Sequence, residues 1–364
     1  MRGKAAALLL LLIGLNIAGW GAALLTYHNH PLLLGTAVLA YGFGLRHAFD
    51  IDHVATIDNV TRKLMHDGKR PLSAGFFFSM GHSTVVFAMT LLIAGAAGAM
   101  ERHFLALKGI GGLIGTFVSA AFLLVIAFVN ILVLLSAFRK IRNARSKGEN
   151  WTDQPVDFPH GHSALAPFLQ PLVKLVGRSW HMYPLGALFG LGFDTATEIG
   201  LLGLSAAQAT QGLSLWTILI FPLLFAAAMS LADTLEGLVM LGAYGWAFVD
   251  PTRKRYYDLT ITAMSVLIAL AVGGIEAANV AAERLQLSGT FWRDVDAFGT
   301  NSTTWGLATT GLFIAAWLTS MAFRLNRVMA APLGDRETVA AQNPQIVTCS
   351  TAFQFDGCRE VSRT

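Results

Sequence analysis

The sequence predicts an all-α protein, a polytopic membrane bundle of about eight transmembrane helices. Of its 364 residues, 54% are hydrophobic and only 13% are charged, whereas a soluble domain normally carries about 25% charged residues. Long apolar runs recur from one end of the chain to the other, which excludes a soluble domain with a single anchor. Runs of about 20 apolar residues indicate helices, because the strands of a membrane barrel would alternate polar and apolar residues.

Eight apolar runs are candidate spans. The second and the sixth exceed the roughly 20 residues that cross a hydrocarbon core, so each is expected to tilt, break or protrude, and Pro222 is a candidate break in the sixth. The first run continues to Leu25 without a small-x-small cleavage site, so we interpret it as a retained helix and not as a signal peptide. The spans are 5–26, 31–58, 71–98, 110–137, 181–206, 214–248, 257–281 and 304–324.

The distribution of lysine and arginine predicts the orientation of the chain. If the N-terminus is cytoplasmic, the segments on the cytoplasmic side hold 21 of the 26 basic residues and the external loops hold only four. Cytoplasmic loops of membrane proteins carry an excess of these two residues. We therefore expect a multi-pass protein with both termini in the cytoplasm.

The spans group into two membrane halves joined by a polar loop. The loop contains prolines and the sequence PHGH, which could bind a metal weakly but is more typical of a solvated linker. Both cysteines, Cys349 and Cys358, lie in a polar tail, which argues against a disulfide framework or a thiolate metal centre. The predicted parts are 1–137 (membrane half with helices one to four), 138–180 (cytoplasmic linker), 181–325 (membrane half with helices five to eight) and 326–364 (polar cytoplasmic tail).

Ionisable residues concentrate in four of the spans. The second span contains RHAFDIDHVATIDN (46–59), the third FFFSMGHSTVV with His82, the fifth LGFDTATEIGLL and the sixth MSLADTLEGLVM. A charge at the bilayer centre costs about 2.5–3.5 kcal/mol on insertion scales. The lone Arg46 cannot balance seven carboxylates, whereas a cation bound inside the bundle could. The seven are Asp50, Asp52, Asp58, Asp194, Glu198, Asp233 and Glu236.

The spacing within the second span predicts how its candidate ligands are arranged. At about 100° per residue, a regular helix places His47, Asp50 and His53 within about 120° of one face. Asp58 returns to nearly the direction of His47. Asp52 points away from this face, so it would serve a second face, hold a neighbouring histidine or require local unwinding of the helix.

The residue types indicate which metals would bind. Imidazoles with carboxylates and no thiolate suit a borderline divalent transition metal such as Ni, Co or Zn, and not Mg or Ca alone. The same residues could relay protons or hold a catalytic metal, but the chain has no HExxH motif and no Walker A lysine loop. A weak internal alignment places His82 opposite Asp233, and Asp50 opposite Asp194, in oppositely directed spans, which is the pattern of an inverted repeat.

Four motifs in order resemble the signatures of the nickel/cobalt permease family (NiCoT). His47, four intervening residues and then Asp52-His53 match the signature of the family's second helix. The other motifs are FSMGHSTVV (78–86), LGFDTATE (191–198) and MSLADTLEG (229–237), where Glu236 stands at a position often held by aspartate. The resemblance extends over the span pattern from about residue 5 to 325.

The resemblance implies a high-affinity permease for uptake of Ni²⁺, Co²⁺ or both across the inner membrane of a bacterium. Its partners would be the metal ion and the lipid bilayer, with no ATPase, nucleic acid or permanently bound cofactor. A related metal exporter and an intramembrane metalloenzyme stay open as alternatives, although PHGH falls far short of the long histidine-rich loop typical of such exporters. The expected ligands are His47, Asp50, His53, His82 and Asp194. Asp52 would orient an imidazole, and Glu198, Asp233 and Glu236 would line the path or receive protons.

Overall fold

The computed structural model describes residues 2–95, 101–146, 176–191, 196–247, 251–300 and 304–309, together with 311 and 315. The regular structure of these residues is helical, with no strand among them, which confirms the predicted all-α class. The helices up to Thr310 belong to one compact unit. Its helices are α1 (Arg2–Tyr27), α2 (Pro31–Ala48), α3 (Ile51–His66), α4 (Ala74–Gly95), α5 (Glu101–Ser146), α6 (Met182–Phe189), α7 (Ala196–Thr210), α8 (Leu215–Ile218), α9 (Ile220–Ala247), α10 (Pro251–Leu285) and α11 (Thr290–Thr300), with a 3₁₀ turn at Ser179–His181 and a helical segment at 304–309.

The number of spans agrees in part with the prediction. Among the described residues, five helices are long and apolar enough to cross a membrane, or up to six spans if the bent pair α2 and α3 is counted as one. These coincide with predicted spans one to four, six and seven. The fifth predicted span is represented by α6 and α7, between which residues 192–195 lie outside the described part, and so does most of the eighth, 304–324. The total of eight therefore stays a prediction, as does the inverted repeat.

The predicted linker and tail lie largely beyond the described residues. Helix α5 continues to Ser146, so the first residues of the predicted linker 138–180 are helical. The part of the linker that contains PHGH, and the tail 326–364 with both cysteines, lie outside the described residues. The division into four parts stays a prediction.

The second predicted span is broken in the middle of its motif. Helix α2 ends at Ala48, where the amide of Phe49 donates to the Arg46 carbonyl (3.1 Å) and the amide of Asp50 to the His47 carbonyl (2.9 Å). Asp50 is extended (φ −68°, ψ 140°), and α3 begins at Ile51 with its axis bent 50° from that of α2. The second span is therefore broken, which is one of the outcomes expected from its length. The arrangement that a regular helix would give does not hold at residues 49 and 50, and the motif is shared between two helices.

The sixth predicted span is divided into two helices at Leu219, one turn before Pro222. Helix α8 ends at Ile218 and α9 begins at Ile220. Because proline has no amide hydrogen, Pro222 cannot donate to the carbonyl of Ile218, four residues earlier. Leu219 between the two helices keeps right-handed helical angles, and Leu215–Tyr244 forms a single candidate span, so a break of this span at Pro222 stays a prediction.

Glycines let the helices around the motif approach closely. At the crossing of α4 and α6, a Cβ atom on Gly81 or on Gly186 would lie 1.9 or 2.0 Å from a backbone oxygen of the other helix. At the crossing of α4 and α9, a Cβ atom on Gly75 would lie 2.1 Å from the carbonyl oxygen of Asp233. Small residues at such crossings permit backbone contact between membrane helices. Helix α4 is thereby held close to both neighbours.

Two apolar clusters meet at the motif. One packs α1, α2 and α9 together around Phe221 and Phe225, and the other packs α3, α4 and α6 together around Phe78 and Phe189. The ring centroid of Phe225 lies 5.6 Å from that of His47, and the ring of Phe78 lies 4.8 Å from another histidine of the same motif. The polar residues of the motif are therefore enclosed between apolar surfaces.

Candidate metal site

Three histidine side chains meet inside the bundle, each from a different helix. His47 lies in the last turn of α2, His53 in the first turn of α3 and His82 in the middle of α4. One ring nitrogen of each lies within 4.8 Å of the others, and the ring centroids are 4.6 to 5.0 Å apart. All three residues are at most 2% exposed. The structure thus brings His82 together with the two histidines of the second predicted span, and that the three bind a metal stays a prediction.

Asp50, which the sequence predicts as a metal ligand, contacts the ring of His47, and its ligand role stays a prediction. The Nδ1 atom of His47 lies 2.9 Å from Oδ2 of Asp50, and Asp50 is only 2% exposed. An ionised carboxylate can only accept, so the proton of the neutral imidazole resides on Nδ1 and Nε2 retains its lone pair. A carboxylate that holds the distal nitrogen of a histidine in this way is typical of metal-binding imidazoles.

The Nε2 atom of His47, which carries the lone pair, faces His82 and Glu198. The Nε2 atoms of the two histidines are 3.0 Å apart, and Oε1 of Glu198 lies 2.7 Å from Nε2 of His82 and 4.0 Å from Nε2 of His47. Two nitrogens that each lie about 2.1 Å from one ion and subtend a right angle are about 3.0 Å apart. The two imidazoles are thus spaced as two adjacent ligands of one ion, with an anionic oxygen beside them.

Asp233 of α9 closes the other side of the cluster. Its Oδ2 atom lies 3.4 Å from Nδ1 of His53 and accepts a hydrogen bond of 2.5 Å from Oγ of Ser79. Among the described residues, Nε2 of His53, Nδ1 of His82 and Oδ1 of Asp233 have no hydrogen-bond partner. A buried polar atom without a partner costs about 1–3 kcal/mol. The cluster therefore has polar atoms available for a ligand.

The remaining predicted residues stand at different distances from this cluster. Glu236 is buried on α9, three residues after Asp233. Asp52 is only partly buried in the first turn of α3, near enough to His47 for electrostatic attraction. Asp194 lies outside the described residues. The individual roles predicted for these three carboxylates stay predictions.

Ser79 is a site residue that the sequence reasoning missed. Its hydroxyl lies beside the carboxylate of Asp233 and it is fully buried. Ser79 precedes His82 by three residues, which places both on one face of α4. That spacing in FFFSMGHS was the available signal.

Asp58 belongs to a second buried polar cluster. Its carboxylate accepts hydrogen bonds from the hydroxyls of Tyr244 and Ser265 and so does not contribute to the histidine site, although its helical direction resembles that of His47. Arg62 is one of the 21 basic residues predicted on the cytoplasmic side. It is only 2% exposed and donates hydrogen bonds within this cluster. The members come from α3, α5, α9 and α10: Asp58, Asn59, Arg62, Asn130, Tyr244, Thr262 and Ser265.

Asn59 connects two other members of this second cluster. Oδ1 of Asn59 accepts from Arg62 (3.1 Å) and from Asn130 (2.9 Å), and its Nδ2 donates to the Ala55 carbonyl (2.7 Å). Arg62 also donates to Thr262 at 2.6 Å. The cluster thus ties α3 to α5 and α10 by side-chain hydrogen bonds.

The fold and the cluster define a class of protein: a helical membrane protein whose buried imidazoles and carboxylates are suited to a borderline divalent cation. The NicO family model, described as high-affinity nickel-transport protein, matches residues 33–323, so the chain belongs to this family of transport proteins. The resemblance inferred from the four motifs is thereby confirmed.

Curated relatives support the same assignment. The chain is 48% identical over 328 residues to a high-affinity nickel transport protein of Cupriavidus necator, covering 90% of this chain and 93% of the relative. It is 42% identical over 320 residues to the nickel transporter NixA of Staphylococcus aureus (87% and 94%), and 42% identical over 266 residues to the cobalt transport protein NhlF of Rhodococcus rhodochrous (70% and 74%). No solved structure gives a significant match to this chain.

Proposed function

We propose that this protein takes up Ni²⁺, with Co²⁺ as a competing substrate, across the cytoplasmic membrane of a bacterium. The observation that carries the proposal is the buried group of three imidazoles in a chain of a nickel-transport family. Among the described residues, two of the three, His53 and His82, each have one ring nitrogen without a hydrogen-bond partner. A dication between these nitrogens and the neighbouring carboxylates would stabilise groups whose burial is otherwise costly. Imidazole favours such borderline ions over Mg²⁺ and Ca²⁺, which prefer oxygen ligands.

The side chains have different tasks in the proposed binding step. His47 and His82 bind the dehydrated ion through Nε2, and His53 joins them through its own Nε2, which has no hydrogen-bond partner among the described residues. Glu198 supplies an anionic oxygen beside His47 and His82. Asp50 keeps the proton of His47 on Nδ1, so that Nε2 stays a ligand. The imidazoles must be neutral to bind, so metal binding should weaken below about pH 6, where histidine ordinarily takes up a proton.

The α9 carboxylates provide the next stage of the proposed path. Asp233, beside His53, would receive the ion as it leaves the first ligands. Glu236 lies three residues further along the same helix and would line the path after Asp233. Asp194 remains a predicted ligand, and Asp52 a predicted orienting group. No resident cofactor is part of this mechanism, because the metal ion is the substrate.

The membrane potential would drive the proposed transport. Each charge that moves across the membrane gains about 2.3 kcal/mol per 100 mV, so a dication gains about 4.6 kcal/mol with the inside negative. This free energy supports accumulation by about three orders of magnitude. A secondary permease therefore needs no nucleotide-binding motif, and the sequence contains no Walker A lysine loop.

The test is uptake of ⁶³Ni²⁺ by bacterial cells that express the full chain, with unlabelled Co²⁺, Zn²⁺, Mn²⁺ or Mg²⁺ as competitors. We expect net accumulation that Co²⁺ inhibits strongly and Mg²⁺ hardly at all. His53→Ala should abolish uptake. His30→Ala is the matched control, because His30 is exposed at the start of α2 and its side chain makes no capping hydrogen bond.

Each contrary outcome overturns a different part of the proposal. Equal inhibition by Mg²⁺ would refute the metal assignment. Net loss of ⁶³Ni²⁺ from preloaded cells would show an exporter. Uptake at the wild-type rate by the His53→Ala variant, with the protein present in the membrane, would refute the assignment of the site.

A further inference from the structure

The break between α2 and α3 lies against the helical segment 304–309. A Cβ atom on Gly306 would come to 1.8 Å from the carbonyl oxygen of Phe49 and 3.1 Å from the amide nitrogen of Ile51. Real Cβ atoms essentially never come within 3.0 Å of a neighbouring heavy atom of this kind, so only glycine fits at position 306. The hydrogen that takes the place of Cβ points at the Phe49 oxygen, in a Cα–H···O contact of the kind found between packed helices.

This contact lies one residue from the carboxylate that orients His47. Phe49 and Asp50 are joined by the peptide bond at the break, and the amide of Asp50 donates to the His47 carbonyl at 2.9 Å. A displacement of the Phe49 carbonyl therefore also moves Asp50, whose Oδ2 lies 2.9 Å from Nδ1 of His47. Metal–ligand distances tolerate changes of only about 0.2 Å, so a displacement of this kind disturbs the site.

We infer that Gly306 is a positioning residue for the metal site. It holds the peptide between Phe49 and Asp50 in place and so sets the direction of the Asp50 carboxylate toward His47. The inference rests on the proposed function, because the site that Gly306 positions is the one assigned to the transported ion. Gly306 has no ligand atom and lies outside the four motifs, so neither a search for ligands nor the motifs point to it.

The alternative is that Gly306 has a purely structural role. Two glycines of α2 serve as comparisons that separate this role from the positioning role. A Cβ atom on Gly44 would lie 2.2 Å from the Phe225 carbonyl oxygen, a similarly close crossing that does not involve the break. A Cβ atom on Gly42 would meet nothing within 4 Å. Gly44→Ala therefore reports the cost of disturbing a close crossing, and Gly42→Ala reports the effect of an added methyl group alone.

The experiment compares Ni²⁺ affinity and the visible ligand-field spectrum of bound Co²⁺ in the purified full-length protein. In Gly306→Ala the new Cβ atom would lie 1.8 Å from the Phe49 oxygen, so the two segments must move apart until this distance is at least 3.0 Å. We expect it to weaken Ni²⁺ binding by about 10- to 100-fold, the usual effect of losing a group that orients a ligating histidine. The Co²⁺ spectrum should change as well. Gly42→Ala should change neither readout. Gly44→Ala should lower the yield of folded protein.

A double variant tests whether Gly306 acts through Asp50. If it does, Gly306→Ala combined with Asp50→Asn should bind Ni²⁺ no more weakly than Asp50→Asn alone, because the contact that Gly306 supports is already lost. Additive losses would overturn the inference. So would unchanged Ni²⁺ affinity and an unchanged Co²⁺ spectrum in Gly306→Ala.

Phe49→Gly supplies the test if Gly306→Ala fails to fold. Glycine at position 49 frees the peptide at the break to rotate away from Gly306 without adding an atom. We expect weaker Ni²⁺ binding and an altered Co²⁺ spectrum, and wild-type values for both would refute the inference. A wild-type protein that binds neither metal would instead refute the proposed function itself.

Discussion

Replacement of Asp50 by asparagine tests the contact that orients His47. In the native protein a carboxylate oxygen lies 2.9 Å from Nδ1 of His47, in a pair that is at most 2% exposed. Asparagine has nearly the same size but no charge, so a charge-assisted hydrogen bond becomes a neutral one of about half the strength. Loss of such an orienting partner typically weakens metal binding by about 10- to 100-fold, or about 1.4–2.8 kcal/mol.

Asp52→Asn is the matched control in the same motif. Asp52 is also an acidic residue next to the break, but it is only partly buried. We expect Asp52→Asn to weaken Ni²⁺ binding less than Asp50→Asn does. The assay is calorimetric Ni²⁺ titration of the purified protein, together with initial rates of ⁶³Ni²⁺ uptake at matched membrane content.

The order of the two effects decides the interpretation. A stronger loss in Asp52→Asn would show that Asp52 is a direct ligand of the ion. Wild-type affinity in Asp50→Asn would show that the 2.9 Å contact does not prepare His47 for binding, and the reasoning about the tautomer would be refuted.

Four further predictions follow from other parts of the chain. Asn59→Ala leaves two buried donors of the second polar cluster without an acceptor. The melting temperature in detergent should therefore fall, while the Ni²⁺ affinity of the folded protein stays the same. Asn143→Ala is the control, because Asn143 is exposed. Gly81→Ala places a Cβ atom 1.9 Å from a carbonyl oxygen of α6, so little folded protein should reach the membrane, in contrast to Gly42→Ala. Phe49→Ala should narrow the preference for Ni²⁺ over Co²⁺ in competition uptake, because a smaller residue at the break relaxes the imposed ligand geometry. An uncoupler should stop ⁶³Ni²⁺ uptake, while ATP depletion at constant membrane potential should not.

Each of these predictions has an opposite outcome. A normal melting temperature for Asn59→Ala would mean that the cluster contributes little to stability, and normal expression of Gly81→Ala would contradict the close crossing. An unchanged metal preference in Phe49→Ala would place selectivity elsewhere. Uptake against a gradient in fully depolarised cells would eliminate the membrane potential as the energy source.

Local patterns in the sequence determined the fold class and the chemistry of the site. Lipid offers no hydrogen bonds to the backbone, so long apolar runs can only be helices, and their positions can be read from composition alone. The nearness of His47 and Asp50 follows from their spacing of three residues, although the contact itself is made across the break, where Asp50 is extended. Imidazoles with carboxylates and no thiolate likewise indicate a borderline metal without reference to any coordinates.

Contacts between distant segments were decided only by the tertiary structure. The approach of Glu198 to His82 joins residues 116 positions apart, and that of Asp233 to His53 joins residues 180 apart. Asp58 has nearly the helical direction of His47, yet it is bound by hydroxyls from α9 and α10, because the bend at the break turns α3 toward different neighbours. Periodicity describes one helix at a time, whereas the bend and the glycine crossings that select each helix's neighbours arise from packing between helices.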